Sequence, residues 1–322
     1  MPFAISFADV QSAAAALEGV AHRTPVLTSA TINELTGYQV YFKCENFQKV
    51  GAFKYRGATN ALLSIPQDKL KYGVATHSSG NHAQALALAA RVAGTKAYIV
   101  MPSNSPKVKI DAVRGYGAEI TFCEPTLEAR ESTLNKIVEE TNAEFIHPYD
   151  REEIIAGQGT TSLELLRSYP NLDVVITPVG GGGLLSGTAI YSKGFNPSIE
   201  VFGAEPMGAN DAYKSFKSGA IIPSTNPNTI CDGLLTSLGK LNFGYIEKNV
   251  DDILLVEDSE VLSALKIIYE RMKIIIEPSS ATVLAAVIKN KELFAEKKIG
   301  LILSGGNIDL QSLFDHFRDK LQ

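Results

Sequence analysis

Apolar positions along the chain fall into two interleaved patterns. Short continuous runs over 74–76, 97–101, 119–122, 173–177, 200–204 and 299–303 predict buried strands. Between them, helical spacing predicts helices over 81–93, 106–115, 127–140, 184–192, 259–272 and 279–288. Gly94 can close the first of these helices. Ser105 can cap the second with Pro106 at its first position, and Gly115 and Gly117 can end it. Continuous apolar strands separated by helices imply sheets covered on both faces. The expected fold is therefore α/β, with two domains of parallel or mostly parallel sheet flanked by helices. Residues 73–148 read as a small domain inserted in a larger one made of residues 1–72 and 149–322.

Composition narrows the function. At 322 residues and 45% hydrophobic content the chain can bury a full core. A net charge of −5 with no basic block argues against a nucleic-acid partner. No apolar run reaches membrane-spanning length, and Met1 to Ser6 carry no basic n-region, so neither a membrane span nor a signal peptide is expected. Cys44, Cys123 and Cys231 are odd in number and far apart, which leaves no disulfide framework or zinc spacing and favours a cytoplasmic location.

Four segments and one acidic pair carry candidate chemistry. Lys54 stands in Gly51-Ala52-Phe53-Lys54-Tyr55-Arg56-Gly57, among bulky apolar neighbours. A lysine kept from water loses its charge easily, and the neutral amine is the form that attacks an aldehyde. The strand over 173–177 runs into Gly180, Gly181, Gly182 and Gly183, and a helix follows. Four glycines let backbone N–H groups turn towards one point, and the helix N-terminus adds partial positive charge, which suits a phosphate. The dinucleotide fingerprint fails there, because Gly181-x-Gly183 is followed by Ser186. The P-loop fails too, because Gly187 is followed by Thr188 where a lysine is required.

Ser78-Ser79-Gly80-Asn81-His82 sits at a strand–helix junction and suits a small carboxylate, although taken alone an ordinary Ser or Asn cap is the simpler account. Ser304, in Ser304-Gly305-Gly306-Asn307, ends a buried strand, where a hydroxyl can meet a ring nitrogen without adding charge. Taken alone, this segment reads equally well as a glycine turn. Glu205 and Asp211, six apart with carbonyls between, can hold a hard divalent cation or simply face solvent. The five histidines show no metal spacing.

Together these segments resemble the serine racemase and threonine dehydratase family, pyridoxal-phosphate enzymes of the second fold type, over residues 5–313. The resemblance implies pyridoxal 5'-phosphate as cofactor. It makes Lys54 the lysine that bonds to it, with Phe53 beside its ring and Asn81 facing its hydroxyl. Gly180 to Leu184 would bind its phosphate, and Ser304 would meet its pyridine nitrogen. Ser78, Ser79, Gly80, Asn81, His82 and Arg130 would hold the substrate carboxylate. Glu205, the Ala209 carbonyl and Asp211 would bind magnesium or calcium. A homodimer is also implied, with ATP as an activator at its interface through Ser29, Lys49, Gln84, Lys109, Tyr116, Lys273 and Asn307. Ala30, Val50 and Tyr149 depart from the serine, threonine and asparagine of the animal pattern.

The activity so implied is interconversion of L- and D-serine, with elimination of serine to pyruvate and ammonia alongside. Lys54 would move the Cα proton on one face and Ser79 on the other; threonine dehydratases usually carry alanine at that second position. The chain also ends soon after Asn307, which leaves no room for the regulatory domain of biosynthetic threonine dehydratases. The alternative is a dehydratase acting on threonine or threo-3-hydroxyaspartate, because fungal hydroxyaspartate dehydratases share the Ser-Ser-Gly-Asn-His segment. A nicotinamide-dependent oxidoreductase is a more distant one, supported only by the alternating architecture.

Overall fold

Ten strands among the described residues form two sheets. They are β1 (Val26–Leu27), β2 (Gln39–Cys44), β3 (Val74–His77), β4 (Ala97–Pro102), β5 (Glu119–Cys123), β6 (Glu144–Phe145), β7 (Val174–Pro178), β8 (Glu200–Pro206), β9 (Asp252–Val256) and β10 (Lys298–Leu303). The structure is a computed structural model and describes residues 5–320, so the first four residues, on which part of the N-terminal reading rests, lie outside it. No helix of the described residues is long and apolar enough to cross a membrane.

The larger sheet has the order β1-β2-β10-β7-β8-β9 and is parallel except for β1 against β2. In its middle, Leu301 pairs with Phe42 on one side and Ile176 on the other. Period-2 alternation then divides the core. Val174 and Ile176 join the cluster built on the helix Pro278–Lys289. Val175 and Ile302 join the cluster built on the helices Glu152–Ser168 and Gly183–Phe195. Both faces are therefore covered, which is why these strands read as unbroken apolar runs.

The smaller sheet, β5-β4-β3-β6, is wholly parallel and drawn from residues 74–145. Its strands end near a loop, residues 78–80, that leads into the helix Asn81–Val92. Ala93 caps that helix and Gly94 follows in the left-handed region (φ +70).

One local expectation fails. Ser105 does not cap the next helix: Pro106 is itself the N-cap of Lys107–Gly115, its carbonyl accepting from the Lys109 and Ile110 N–H groups. The Ser105 hydroxyl is buried without a partner. The tight turn that bonds Ser105 N–H to the Pro102 carbonyl has already shifted the helix start by one residue.

Two helices that the apolar pattern did not announce position the lysine. Lys54 opens the helix Lys54–Leu63, which packs on Glu152–Ser168 where Gly57 faces Gly157. A Cβ on Gly157 would lie 2.7 Å from the Gly57 Cα, so only glycine permits that approach. Two residues after Lys54, Arg56 is 1% exposed and pairs with Glu45 and Glu164. Burial alone would raise the Glu45 carboxyl; the Arg56 guanidinium outweighs it and holds the carboxyl below its ordinary range. Removing Arg56 would leave the buried Glu45 with only the Thr24 hydroxyl and the Lys43 charge to offset its burial, and breaking such a buried pair typically costs about 3–5 kcal/mol.

Candidate active site

The predicted cofactor residues converge at the C-terminal edge of the larger sheet. Ser304 follows β10, the glycine run follows β7, and these strands are neighbours. The Lys54 loop is tied to the same edge, since Phe53 N–H donates to the Ser304 carbonyl at 2.9 Å and Ala52 bridges to Gly305. Ligands of open α/β sheets bind outside such strand ends.

Lys54 is half-buried, and its amine donates to the Pro148 carbonyl at 2.8 Å. The Phe53 and Tyr149 ring centroids lie 5.2 and 5.9 Å from it. Burial brings the amine down to about 8, with the Glu277 charge opposing. A lysine so shifted has a substantial neutral fraction near neutral pH.

Gly182 (φ +94) is the N-cap of Gly183–Phe195, whose first-turn N–H groups have no partner within the helix. The glycines are required by protein packing as well as by any phosphate. A Cβ on Gly181 would meet the Tyr149 ring at 2.3 Å, and one on Gly182 would meet Leu238 at 2.7 Å. The Asn242 amide donates to the Gly181 and Tyr149 carbonyls, fastening the run to the loop that receives the Lys54 bond. Tyr149 itself is pushed up to about 12, by burial first and then by Asp150, so its phenol stays protonated.

Ser304 is 3% exposed and lies 2.9 Å from the Ser280 hydroxyl. Ser280 in turn exchanges bonds with both the N–H and the carbonyl of Gly305. Asn81 donates to both oxygens of Glu277, each at 3.1 Å. The Glu277 carboxyl is pushed up to about 7, by burial first and then by Asp232.

In the loop before Asn81, Ser78 and Ser79 are half-buried. The Ser79 hydroxyl has no hydrogen-bond partner among the described residues, whereas Ser78 Oγ accepts weakly from Gly80 N–H. His82 is buried and kept neutral, chiefly by burial and then by the Lys54 charge; its Nε2 lies 3.3 Å from the Ile146 carbonyl and Nδ1 is unpartnered. A neutral imidazole turned onto a carbonyl offers a carboxylate no charge, so at His82 the helix N–H is the useful group. Arg130 stands in the first turn of Leu127–Thr141, close enough to His77 for its charge to be felt there, with a buried Nε that has no partner.

The suggested metal set is two carboxylates and a carbonyl. Glu205 is pushed up to about 8 by burial, and the nearby Asp211 adds to the shift. Both Glu205 oxygens already accept from the Ala212 and Tyr213 N–H groups, whereas Asp211 Oδ1 is buried without a partner. Two crowded carboxylates and an orphaned oxygen suit a hard cation whose remaining ligands are carbonyls, such as that of Ala209, and water.

The seven nucleotide candidates divide. Gln84, Lys109 and Asn307 line one cavity of about 530 Å³ beside Asp232, which Lys109 pairs with. Ser29, Lys49, Tyr116 and Lys273 do not line it. Ser29 caps the helix Ala30–Thr36, Lys49 lies over Tyr55, Tyr116 meets Arg91, and Lys273 ends the helix Asp258–Met272.

Glu277, Ser280, Tyr149, Asn242 and the Pro148 carbonyl were not found from the sequence. Each is polar or aromatic without a motif, and each reaches the site from a distant segment.

The residues fit pyridoxal phosphate on this geometry. An amine of lowered basicity, a glycine-edged helix start, a buried hydroxyl at a neighbouring strand end and an amide at the helix start after β3 stand around one edge. Comparison with known proteins agrees. The family described as pyridoxal-phosphate dependent enzyme matches residues 17–305. The chain is 53% identical to the serine racemase of Dictyostelium discoideum over 96% of this chain and 97% of that one. It is 48% identical to the beta-hydroxyaspartate dehydratase of Paracoccus denitrificans (strain Pd 1222), over 90% and 92%. The structure of maize serine racemase superposes with a TM-score of 0.94 at 42% identity, covering 99% of this chain and 98% of that one. The chain therefore belongs to the family of pyridoxal-phosphate-dependent enzymes.

Proposed function

We propose that the protein is a serine racemase that interconverts L- and D-serine and also eliminates serine to pyruvate and ammonia. The observation that carries this reading is that the two candidate proton-transfer groups are held by segments attached to different sheets. Lys54 is tied to the larger sheet through Ser304, and Ser79, with an uncommitted hydroxyl, follows β3 of the smaller one.

When bound, pyridoxal phosphate acidifies the amino acid's Cα–H by drawing electrons from that carbon. Lys54, as the neutral amine its burial favours, takes or returns the proton at Cα on its own face. Ser79 Oγ does the same on the other. The first-turn N–H groups of Asn81–Val92 and the free Arg130 Nε hold the substrate carboxylate. Ser304 meets the ring nitrogen as a neutral hydroxyl, and Phe53 and Tyr149 keep water from the amine. Residues 73–148 act as a domain that closes over the substrate.

Glu205, Ala209 and Asp211 would hold magnesium or calcium, the Gln84–Lys109 cavity a nucleotide such as ATP, and the working form would be a homodimer. Three buried, unpaired cysteines suit a cytoplasmic setting.

The second reading, elimination from threo-3-hydroxyaspartate without racemisation, is supported by the Paracoccus relative. One incubation with L-serine, assayed together for D-serine and pyruvate against Lys54→Ala, tests both. D-serine above the control is expected; pyruvate alone would overturn the racemase reading in favour of the dehydratase.

A further inference from the structure

Asn307 follows the glycine turn after β10 and touches three segments. Its amide nitrogen donates to the Val50 carbonyl at 2.7 Å and to Asn81 Oδ1 at 2.9 Å. Its backbone N–H lies near the Glu277 carboxyl and favours that group's charged form. A carbonyl oxygen only accepts, so the Val50 bond fixes which end of the Asn307 amide is nitrogen. The Asn81 atom facing that nitrogen must then be oxygen, which turns the Asn81 NH₂ group towards Glu277. That nitrogen carries two N–H groups and is equidistant from the two carboxylate oxygens, so one N–H shared between them leaves the other for the cofactor hydroxyl.

The Val50 end is equally constrained. Val50 has φ +56, a left-handed conformation that β-branched residues rarely adopt and that persists only when neighbours hold it. Gly51 follows at φ +69, and a Cβ there would sit 2.9 Å from Asn307 Oδ1. Gly306 N–H closes the arrangement on the Gly51 carbonyl at 2.9 Å. Lys54 lies four residues beyond the turn.

We infer that Asn307 is a positioning residue: it sets the amide orientation of Asn81, so that the cofactor hydroxyl meets a donor, and it holds the left-handed turn that delivers Lys54. The inference rests on reading the Lys54 site as the pyridoxal-phosphate site. It also removes the Asn307 side chain from the nucleotide donors, because its amide N–H groups are engaged within the protein.

The test is the absorbance spectrum of the holoenzyme without substrate, read beside kcat and the Tm of the apoprotein. Asn307→Ala should shift the balance between the bound cofactor's absorption bands, which depends on where the ring-hydroxyl proton resides. It should also lower kcat about tenfold and lower Tm. If that variant does not fold, Asn307→Asp, of similar shape but without the donors, carries the same test.

Adding Val50→Gly removes the backbone strain, so the double variant should regain Tm while its spectrum and kcat stay altered. An unchanged spectrum in Asn307→Ala overturns the inference. So does a double variant whose spectrum and kcat recover with Tm, since the role is then only structural. A wild-type protein with no Lys54-dependent absorption band overturns the reading of the site, and this assignment with it.

Discussion

Lys54 Nζ and the Pro148 carbonyl oxygen lie 2.8 Å apart across 94 residues of chain. The bond places the amine beside Tyr149, where burial, opposed by the Glu277 charge, sets its ionisation.

Capture of pyridoxal phosphate by the apoprotein should follow that ionisation. With the amine near 8, the neutral fraction grows about tenfold per pH unit below that value and saturates above it. Stopped-flow absorbance should show a capture rate that rises to about pH 8 and then levels. A rate still climbing near pH 10 would mark an ordinary solvated lysine.

Ser79→Ala separates the two reactions. Losing one positioned acid/base group should slow racemisation by about 10²–10⁴-fold, with elimination less affected because it uses only the lysine face. D-serine and pyruvate rates measured on the same preparation give the comparison. Equal losses in both would make Ser79 a carboxylate ligand.

Gly181→Ala should weaken cofactor binding and stability together. Its Cβ would enter the Tyr149 ring at 2.3 Å, an overpacking that typically costs about 1–3 kcal/mol. Tyr149→Ala opens that space, so the double variant should be more stable than the sum of the single effects implies. Additive losses in chemical denaturation would show that the tyrosine is not the obstruction.

Glu277 makes the apoprotein's stability depend on pH. Its folded-state value of about 7 exceeds the ordinary 4.5, so the folded state holds this proton more tightly than the unfolded chain. The stability it contributes is complete below pH 4.5 and is lost as pH rises through 7, by roughly 3 kcal/mol in total. Glu205 is shifted in the same direction, so the useful quantity is the difference between wild type and Glu277→Gln at pH 5 and pH 8. Parallel pH slopes for the two proteins would refute the assignment.

The sequence by itself determined the sheet strands that are buried on both faces, because such strands must be continuously apolar, as β7 and β10 are. It also determined where the glycine run and the Ser78–His82 segment sit, because strand ends and helix starts are set by local chemistry. The helix Glu152–Ser168 escaped: its buried Gly157, Gln158, Gly159, Thr160, Thr161 and Ser162 look polar and flexible in one dimension. They become interior only where Gly57 and Gly187 press against them.

Tertiary structure alone decided the surroundings of Lys54. Pro148 offers a carbonyl, Glu277 an interior carboxylate and Asn307 an amide; none has a sequence signature, and each lies more than ninety residues from the lysine it serves. Hydrogen bonds and charge are felt over a few ångströms, whereas residue patterns report only on neighbours along the chain. The candidate lysine was therefore legible in the sequence, and what sets its basicity and placement was not.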